Sequence, residues 1–300
     1  MNDRAVLISV VVPTYNYVNY LPRALDSIIS QVQADMEIVV VDDGSTDGTV
    51  ELLQRYADQV PCLRVLRQAN AGAGAARNAG IRAARGAYVL PLDADDELMP
   101  AALATVVDVV RKDPSVDIVL GAYVSVDAGG KERIRMATPV GRLSASSRVQ
   151  QYLLDKRIAI SHSCTLFSRR LLLARPYPEG IKAGEDIAVF AYLLVMGKVA
   201  TTLQPIAKIY KHSDSLRNSR DDEKVALAIV EEVFATLPPE CQPLRGRYTA
   251  QRYLSLFRNS LQARDKPSAW RFYWRALKLS PGQALRWAYV KKITRLIFWS

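Results

Sequence analysis

Four acids in five positions, Asp93, Asp95, Asp96 and Glu97, close the apolar run in AYVLPLDADDELMP. Like charges this close repel by roughly 4 kcal/mol per pair at about 4 Å and an effective dielectric of about 20, so the cluster opposes folding unless a cation offsets it. A divalent metal would do so. Mg2+ or Mn2+ takes one or two carboxylates, keeps some water and completes its octahedron with substrate phosphate oxygens. The bland alternative is a solvated turn, with Asp96 and Glu97 favouring the N-terminus of a helix that Pro100 begins. A second acidic pair, Glu185 and Asp186, precedes the apolar residues 187–196. There, too, capping and helix-dipole stabilisation compete with chemistry.

The elements that must position these acids alternate along the chain. Short apolar or β-branched runs at 6–12, 37–41, 63–66, 87–92 and 116–126 read as strands. Amphipathic spacing at 20–31, 49–56, 75–84 and 101–111 reads as helix. This β-α-β-α-β order predicts an α/β fold with a doubly wound, mostly parallel sheet, and such sheets bind ligands beyond the carboxyl ends of their strands. Residues 13–16, 42–47 and 70–78 and the acidic cluster all fall at those ends. Residues 127–147 lapse into turn chemistry and polar sequence, an excursion expected near a second substrate. Then follow a short helix at 148–156, a strand at 163–167, a Pro- and Gly-containing loop at 175–184, a buried helix at 187–196 and a helix at 221–237.

The 300 residues, 49% of them hydrophobic, suffice for a sizeable core. Residues 7–12 and 188–196, the longest apolar stretches, fall well short of a membrane span, and the N-terminus reads as a strand, not a signal peptide. Cys62, Cys164 and Cys241 are odd in number and far apart, which argues against a disulfide framework or a zinc site and suits a reducing, cytoplasmic setting. The net charge of +10 suggests an anionic partner. Much of it is C-terminal, where Lys266, Arg271, Arg275, Lys278, Arg286, Lys291, Lys292 and Arg295 interleave with Trp270, Trp274, Trp287 and Trp299 and no acid follows Asp265. We divide the chain into a catalytic region, 1–215, and a helical basic region, 216–300. Leu285, Tyr289, Ile293, Leu296 and Ile297 share one face of a helix at 284–299. This face suits either an anionic membrane surface or a cap packed on the catalytic region.

ISVVVPTYN, VVVDDGSTDGT, QANAGAGAARNAG, LDADD and GED occur in this order, and together they resemble glycosyltransferase family 2, nucleotide-sugar-dependent enzymes of the GT-A fold. The resemblance covers about residues 7–212 and leaves out the C-terminal region. It implies that Pro13, Thr14 and Tyr15 line the nucleobase and ribose, and that Asp43 accepts a hydrogen bond from the base, which suits uracil. It implies that the Arg77 fork bonds the diphosphate or a base carbonyl and that Asn78 fixes the glycine-rich loop. Asp93 would face the ribose and donor sugar, Asp95 would bind the metal, and Asp186 would be the general base. His212 in IYKHSDS resembles a late family histidine that touches metal or diphosphate, while His162 would flank a strand near the acceptor.

The expected activity is inverting transfer, with Mn2+ or Mg2+, from a nucleoside-diphosphate sugar, by preference a UDP-sugar. The acceptor would be a hydroxyl of a saccharide or lipid-linked molecule in surface polysaccharide or glycolipid synthesis. This reading places the protein in the cytoplasm or on the cytoplasmic face of the membrane, with no nucleic-acid partner. Two rival readings are nucleotidyl transfer to a sugar phosphate, marked by pyrophosphate release, and nucleic-acid binding by the basic C-terminus.

Overall fold

The computed structural model describes residues 5–141, 143–181, 184–211 and 222–297. Strands β1 (Ile8–Thr14), β2 (Met36–Asp42), β3 (Leu63–Arg67) and β4 (Tyr88–Pro91) pair in parallel in the order β3-β2-β1-β4. Helices α1 (Leu21–Ile29), α2 (Thr49–Gln59) and α3 (Ala73–Ala83) make the crossovers. Both faces of β1 and β2 are covered, which is why these strands are apolar throughout. Ile8, Val10 and Val12 join the core beneath α1 and α2, and Val11 faces the opposite core with α3.

Helix α3 rests directly on β1 because Gly80 lacks a side chain. A Cβ at Gly80 would lie 2.4 Å from Val11 Cγ1 and 3.1 Å from Val41 Cγ2. Those valines are stiff and wholly buried. Gly80→Ala is therefore expected to destabilise the protein by roughly 1–3 kcal/mol in urea unfolding, the cost of overpacking. An unchanged midpoint and slope would show that α3 can lift away freely.

The rest of the sheet is mixed. It comprises β5 (Glu97–Leu98), β6 (Ile118–Val126), β7 (Glu132–Arg135), β8 (Thr165–Ser168) and β9 (Val199–Tyr210). Strand β8 lies antiparallel between β4 and β6, β9 runs parallel to β6, and β5 and β7 pair antiparallel with β9 and β6. Helices α4 (Ala102–Lys112), α5 (Ala145–Leu153), α6 (Arg169–Ala174) and α7 (Glu185–Met196) cover it.

Three expectations are corrected here. Pro100 does not begin a helix; Glu97 and Leu98 bridge to Lys208 and Ala207, and α4 starts only after Ala101 turns through a left-handed conformation, φ 62°. Helix α5 starts three residues earlier than expected because the Ser144 hydroxyl accepts a hydrogen bond from the Ser147 amide at 3.2 Å, an N-cap. Strand β9 was not among the expected strands. Its Pro205 argues against one, and the register to β6 shifts at Ala122, which pairs with Pro205 in an irregularity that absorbs the missing donor.

Helices α8 (Glu223–Ala235), α9 (Leu244–Gln262), α10 (Lys266–Leu279), α11 (Pro281–Ala284) and α12 (Trp287–Ile297) follow. Val149 and Leu153 of α5 and Ala191 of α7 bury themselves against Ile229 and Val233 of α8 and Tyr248 of α9. The expected division at 215/216, like His212, falls within 212–221, outside the described residues. On α12, Tyr289, Ile293 and Leu296 pack inward with Phe257 and Tyr273, so this stripe is the inner seam of a helical layer and not a membrane face. The side chains of Arg295 and Ile297, and all of Trp299, lie outside what is described. Trp274, Leu279, Leu285 and Trp287 remain exposed. Among the described residues no helix is long and apolar enough to cross a membrane.

Candidate active site

The carboxyl ends of β1 and β2 form one cross-linked rim. Asn16, in a left-handed conformation with φ 56°, donates its amide to Ser45 Oγ at 2.9 Å and accepts from the Thr46 amide at 2.8 Å. The Val18 amide donates to Asp47 Oδ2 at 3.1 Å. Pro13 and Thr14 are buried at this rim, and Tyr15 stands out of it, 44% exposed. The turn before Gly44 is closed by Asp42, whose Oδ1 accepts from the Ser45 amide at 3.0 Å. Asp43 has another job: Oδ1 accepts from Gln68 Nε2 at 2.7 Å and the Ala71 amide at 3.0 Å, and Oδ2 from the Gly72 amide at 2.8 Å. It thereby holds the glycine-rich loop against β2, and Oδ2 retains a lone pair for one further donor.

The acidic cluster separates into different roles. Asp96 is buried, accepting from Ser163 Oγ at 2.5 Å and the Tyr210 amide at 3.0 Å. Burial, reinforced by the charges of Asp93 and Asp95, pushes its pKa well up, and its two bonds tie the turn to the segment just before β8 and to β9. Glu97 accepts from the Tyr210 hydroxyl at 2.9 Å and lies 3.7 Å from Lys208 Nζ. Arg23 donates to the Asp95 carbonyl and stacks 3.7 Å over the Tyr210 ring. Asp96 and Glu97 serve the fold, whereas Asp93 and Asp95 stand at the open end of the strand, Asp93 with one oxygen on Arg77 Nη2 at 2.9 Å. Both are hard oxygen donors, half-buried at the strand end, and they fit Mg2+ or Mn2+ in a site completed by water and phosphate. Among the described residues no three His, Cys, Asp or Glu side chains converge as a metal cage.

Arg77 joins this turn to the start of α7. Its Nη2 lies 2.9 Å from Asp93 Oδ1 and its Nη1 2.8 Å from Glu185 Oε1, with 8% of the arginine side chain exposed. Asn78, the next residue, accepts from the Tyr177 amide at 2.9 Å and donates to the Tyr177 carbonyl at 2.9 Å, so it ties α3 to the segment around Tyr177, where the resemblance implied a hold on the glycine-rich loop. Neither acid of the Gly-Glu-Asp segment caps α7. Gly184 is the N-cap residue, with φ 80° and no side-chain cap bond. Glu185 is spent on Arg77, which leaves Asp186 half-buried in the first turn. Burial and the neighbouring Glu185 charge raise the Asp186 pKa to about 6, with Arg77 opposing and Asp93 adding to the rise. A carboxylate so poised is ionised at neutral pH yet basic enough to accept a proton.

His162 is a core residue, its Nε2 3.1 Å from the buried Tyr177 hydroxyl and its ring packed on Phe190 of α7. Glu185, Ser163 and Tyr210 were missed as supports of the site. Only the adjacency of Glu185 to Asp186 was visible in sequence, and nothing local marks a serine or a tyrosine amide as the partner of an acid 67 or 114 residues away.

The family model described as Glycosyl transferase family 2 matches residues 9–174. Among curated proteins the chain is 38% identical over 127 residues to the chondroitin synthase of Escherichia coli, covering 42% of this chain and 18% of that one. The chain spans less than half the length of the curated relatives it matches first. Among solved structures it resembles S. aureus TarS 1-349 in complex with UDP-GlcNAc, with a TM-score of 0.69, 20% identity and 93% and 83% of the two chains covered. It also resembles the mannosyltransferase PcManGT of Pyrobaculum calidifontis in complex with GDP-Man and Mn2+, with a TM-score of 0.58, 20% identity and 99% and 82% covered. At such identity these likenesses establish the fold, a GT-A-like mixed sheet with a helical C-terminal region.

Proposed function

The chain belongs to glycosyltransferase family 2, and from that premise we propose that it moves a sugar, with inversion, from a nucleoside-diphosphate sugar to an acceptor hydroxyl. The observation that carries this reading is the Arg77 bridge, which holds Asp93 of the donor-side turn and the helix bearing Asp186 in one rigid unit. In this mechanism Asp186 removes the acceptor hydroxyl proton as that oxygen bonds to the anomeric carbon and the nucleoside diphosphate departs from the opposite face. Asp93 orients the donor sugar, and Pro13, Thr14, Tyr15 and Asp43 line the base and ribose. Asp95 with Asp93 would hold Mn2+ or Mg2+, which supplies charge neutralisation on the leaving diphosphate. A UDP-sugar is the preferred donor. The remaining Asp43 lone pair suits a ring N–H, and TarS was solved with UDP-GlcNAc.

The test is a panel of nucleoside-diphosphate sugars, scored for metal-dependent thermal shift and slow hydrolysis. A UDP-sugar that stabilises the protein and releases UDP supports the reading, whereas pyrophosphate release would replace it with nucleotidyl transfer. Asp95→Ala is expected to abolish Mn2+-dependent binding of UDP in calorimetry. Unchanged affinity with metal present would move the metal site elsewhere.

The acceptor in this reading is a saccharide or lipid-linked hydroxyl in surface polysaccharide or glycolipid synthesis, met at the cytoplasmic face of the membrane. Exposed Trp274, Leu279, Leu285 and Trp287, with the nearby cations, form the surface for anionic lipid. Liposome flotation is expected with anionic and not neutral lipid, weakening with salt. Absence of flotation would leave these helices a packed cap only.

A further inference from the structure

A cavity of about 460 Å3 opens beside β6, β7 and β9, where Arg135, Arg157 and Lys211 gather with Tyr123, Ile134 and Met136, and among the described residues no acid lines it. None of the three cations forms an ion pair among the described residues. Lys208, on the same strand as the approach to Lys211, is held by Glu97 and Glu132 at 3.7 and 3.0 Å. Like charges sharing one cavity repel, and an anion would reverse that cost. Ile134 and Met136 are 63% and 53% exposed, giving the cavity an apolar wall of the kind that meets the C–H face of a sugar ring.

Two short stretches of chain connect this cavity to the proposed chemistry. Lys211 follows Tyr210, whose amide holds Asp96. Arg157 follows Lys156, which turns the chain at φ 54° and whose ammonium lies within electrostatic reach of Asp186 and Arg252. The Arg157 carbonyl accepts from Thr138 Oγ1 at 2.5 Å, pinning the segment to the chain beyond β7. Five residues further on, at most about 18 Å of extended chain, His162 packs on Phe190, one turn after Asp186.

We infer that this cavity is an acceptor subsite for an anionic group, a carboxylate or a phosphate carried by the saccharide next to the reacting hydroxyl. The inference rests on the transfer reading, since it places the charge on the acceptor and not on the donor. Arg135 and Arg157 would each present a fork to the anionic oxygens, and Lys211 a point charge.

The experiment measures binding of four probes to the full chain in the presence of UDP. They are a uronate-bearing oligosaccharide, its carboxyl-reduced form, a phosphate-bearing oligosaccharide and its dephosphorylated form. At least one charged probe is expected to bind roughly tenfold more tightly than its neutral counterpart, and the charged member that does so identifies the source of the anion. Arg135→Gln/Arg157→Gln/Lys211→Gln should erase the difference, and Arg135→Lys/Arg157→Lys should keep most of it. Equal affinity of charged and neutral probes, or a glutamine variant that keeps the preference, overturns the inference. UDP-sugar hydrolysis by the wild-type chain, measured in parallel, reports on the donor reading alone, so either conclusion can fail without the other.

Discussion

Asp186→Asn is expected to leave UDP-sugar binding nearly intact while lowering kcat by roughly two to four orders of magnitude, the contribution of a positioned general base. The amide keeps the shape of the carboxylate and loses its basicity. Because the N-cap residue is Gly184 and not Asp186, and asparagine keeps a polar acceptor in the first turn, the substitution should leave α7 folded. Burial and Glu185 raise this pKa to about 6, and only the ionised form can accept the proton. Wild-type kcat/KM should therefore climb as pH rises through about 6 and level off above it. A near-normal kcat in the variant, with donor binding unchanged, would remove Asp186 from the chemistry.

Arg77 should have the largest effect on stability. It is buried between two carboxylates, and Arg77→Met takes the shared guanidinium from Glu185, with 12% of its side chain exposed, and Asp93, with 30%. Breaking a buried pair from one side costs roughly 3–5 kcal/mol, because the abandoned charge remains desolvated. Urea unfolding of Arg77→Met measures this, and a loss below about 1 kcal/mol would show that the acids reach water readily. Arg77→Lys separates positioning from folding. A lysine brings one compact charge and cannot span both acids as the guanidinium fork does. With the fold retained, kcat should drop by roughly 10²-fold, since small misplacements of reacting groups cost about that much. A fully active lysine variant would mean that the bridge serves stability alone. On this account Arg77 is an internal clamp between the Asp93 turn and the helix that carries Asp186, where the resemblance implies a contact with the diphosphate or a base carbonyl.

The parallel half of the fold was legible because its signals are local. Runs such as Val10 to Val12 and Ile38 to Val41 can belong only to strands or helices covered on both sides, and the helical spacing between them decides the order. The mixed half was less legible. Strand β9 hides behind Pro205 and half-exposed threonines, and its place beside β6 depends on an irregular register that no local pattern encodes. Strand β5 is two residues long and exists because Lys208 and Ala207 are there to pair with it. The candidate site shows the same contrast. Asp93, Asp95 and Asp186 were visible as acids at strand and helix ends. Which acids serve the fold was decided by Ser163, Tyr210 and Gln68, far away in the chain. The stripe on α12 was read correctly as apolar, but its period is equally compatible with lipid and with a neighbouring helix. Phe257 and Tyr273 settle it for Tyr289, Ile293 and Leu296.

The most direct test of the central claim is the pH dependence of kcat/KM for sugar transfer from the preferred nucleotide sugar, measured between about pH 5 and 8 for the wild type and Asp186→Asn. Wild-type kcat/KM should rise along an acid limb with its midpoint near 6, set by the burial of Asp186 beside Glu185, and the variant should be slow and flat over the same range. A wild-type profile without that limb, or a variant that keeps both the limb and near-normal turnover, would contradict the assignment of Asp186 as the base.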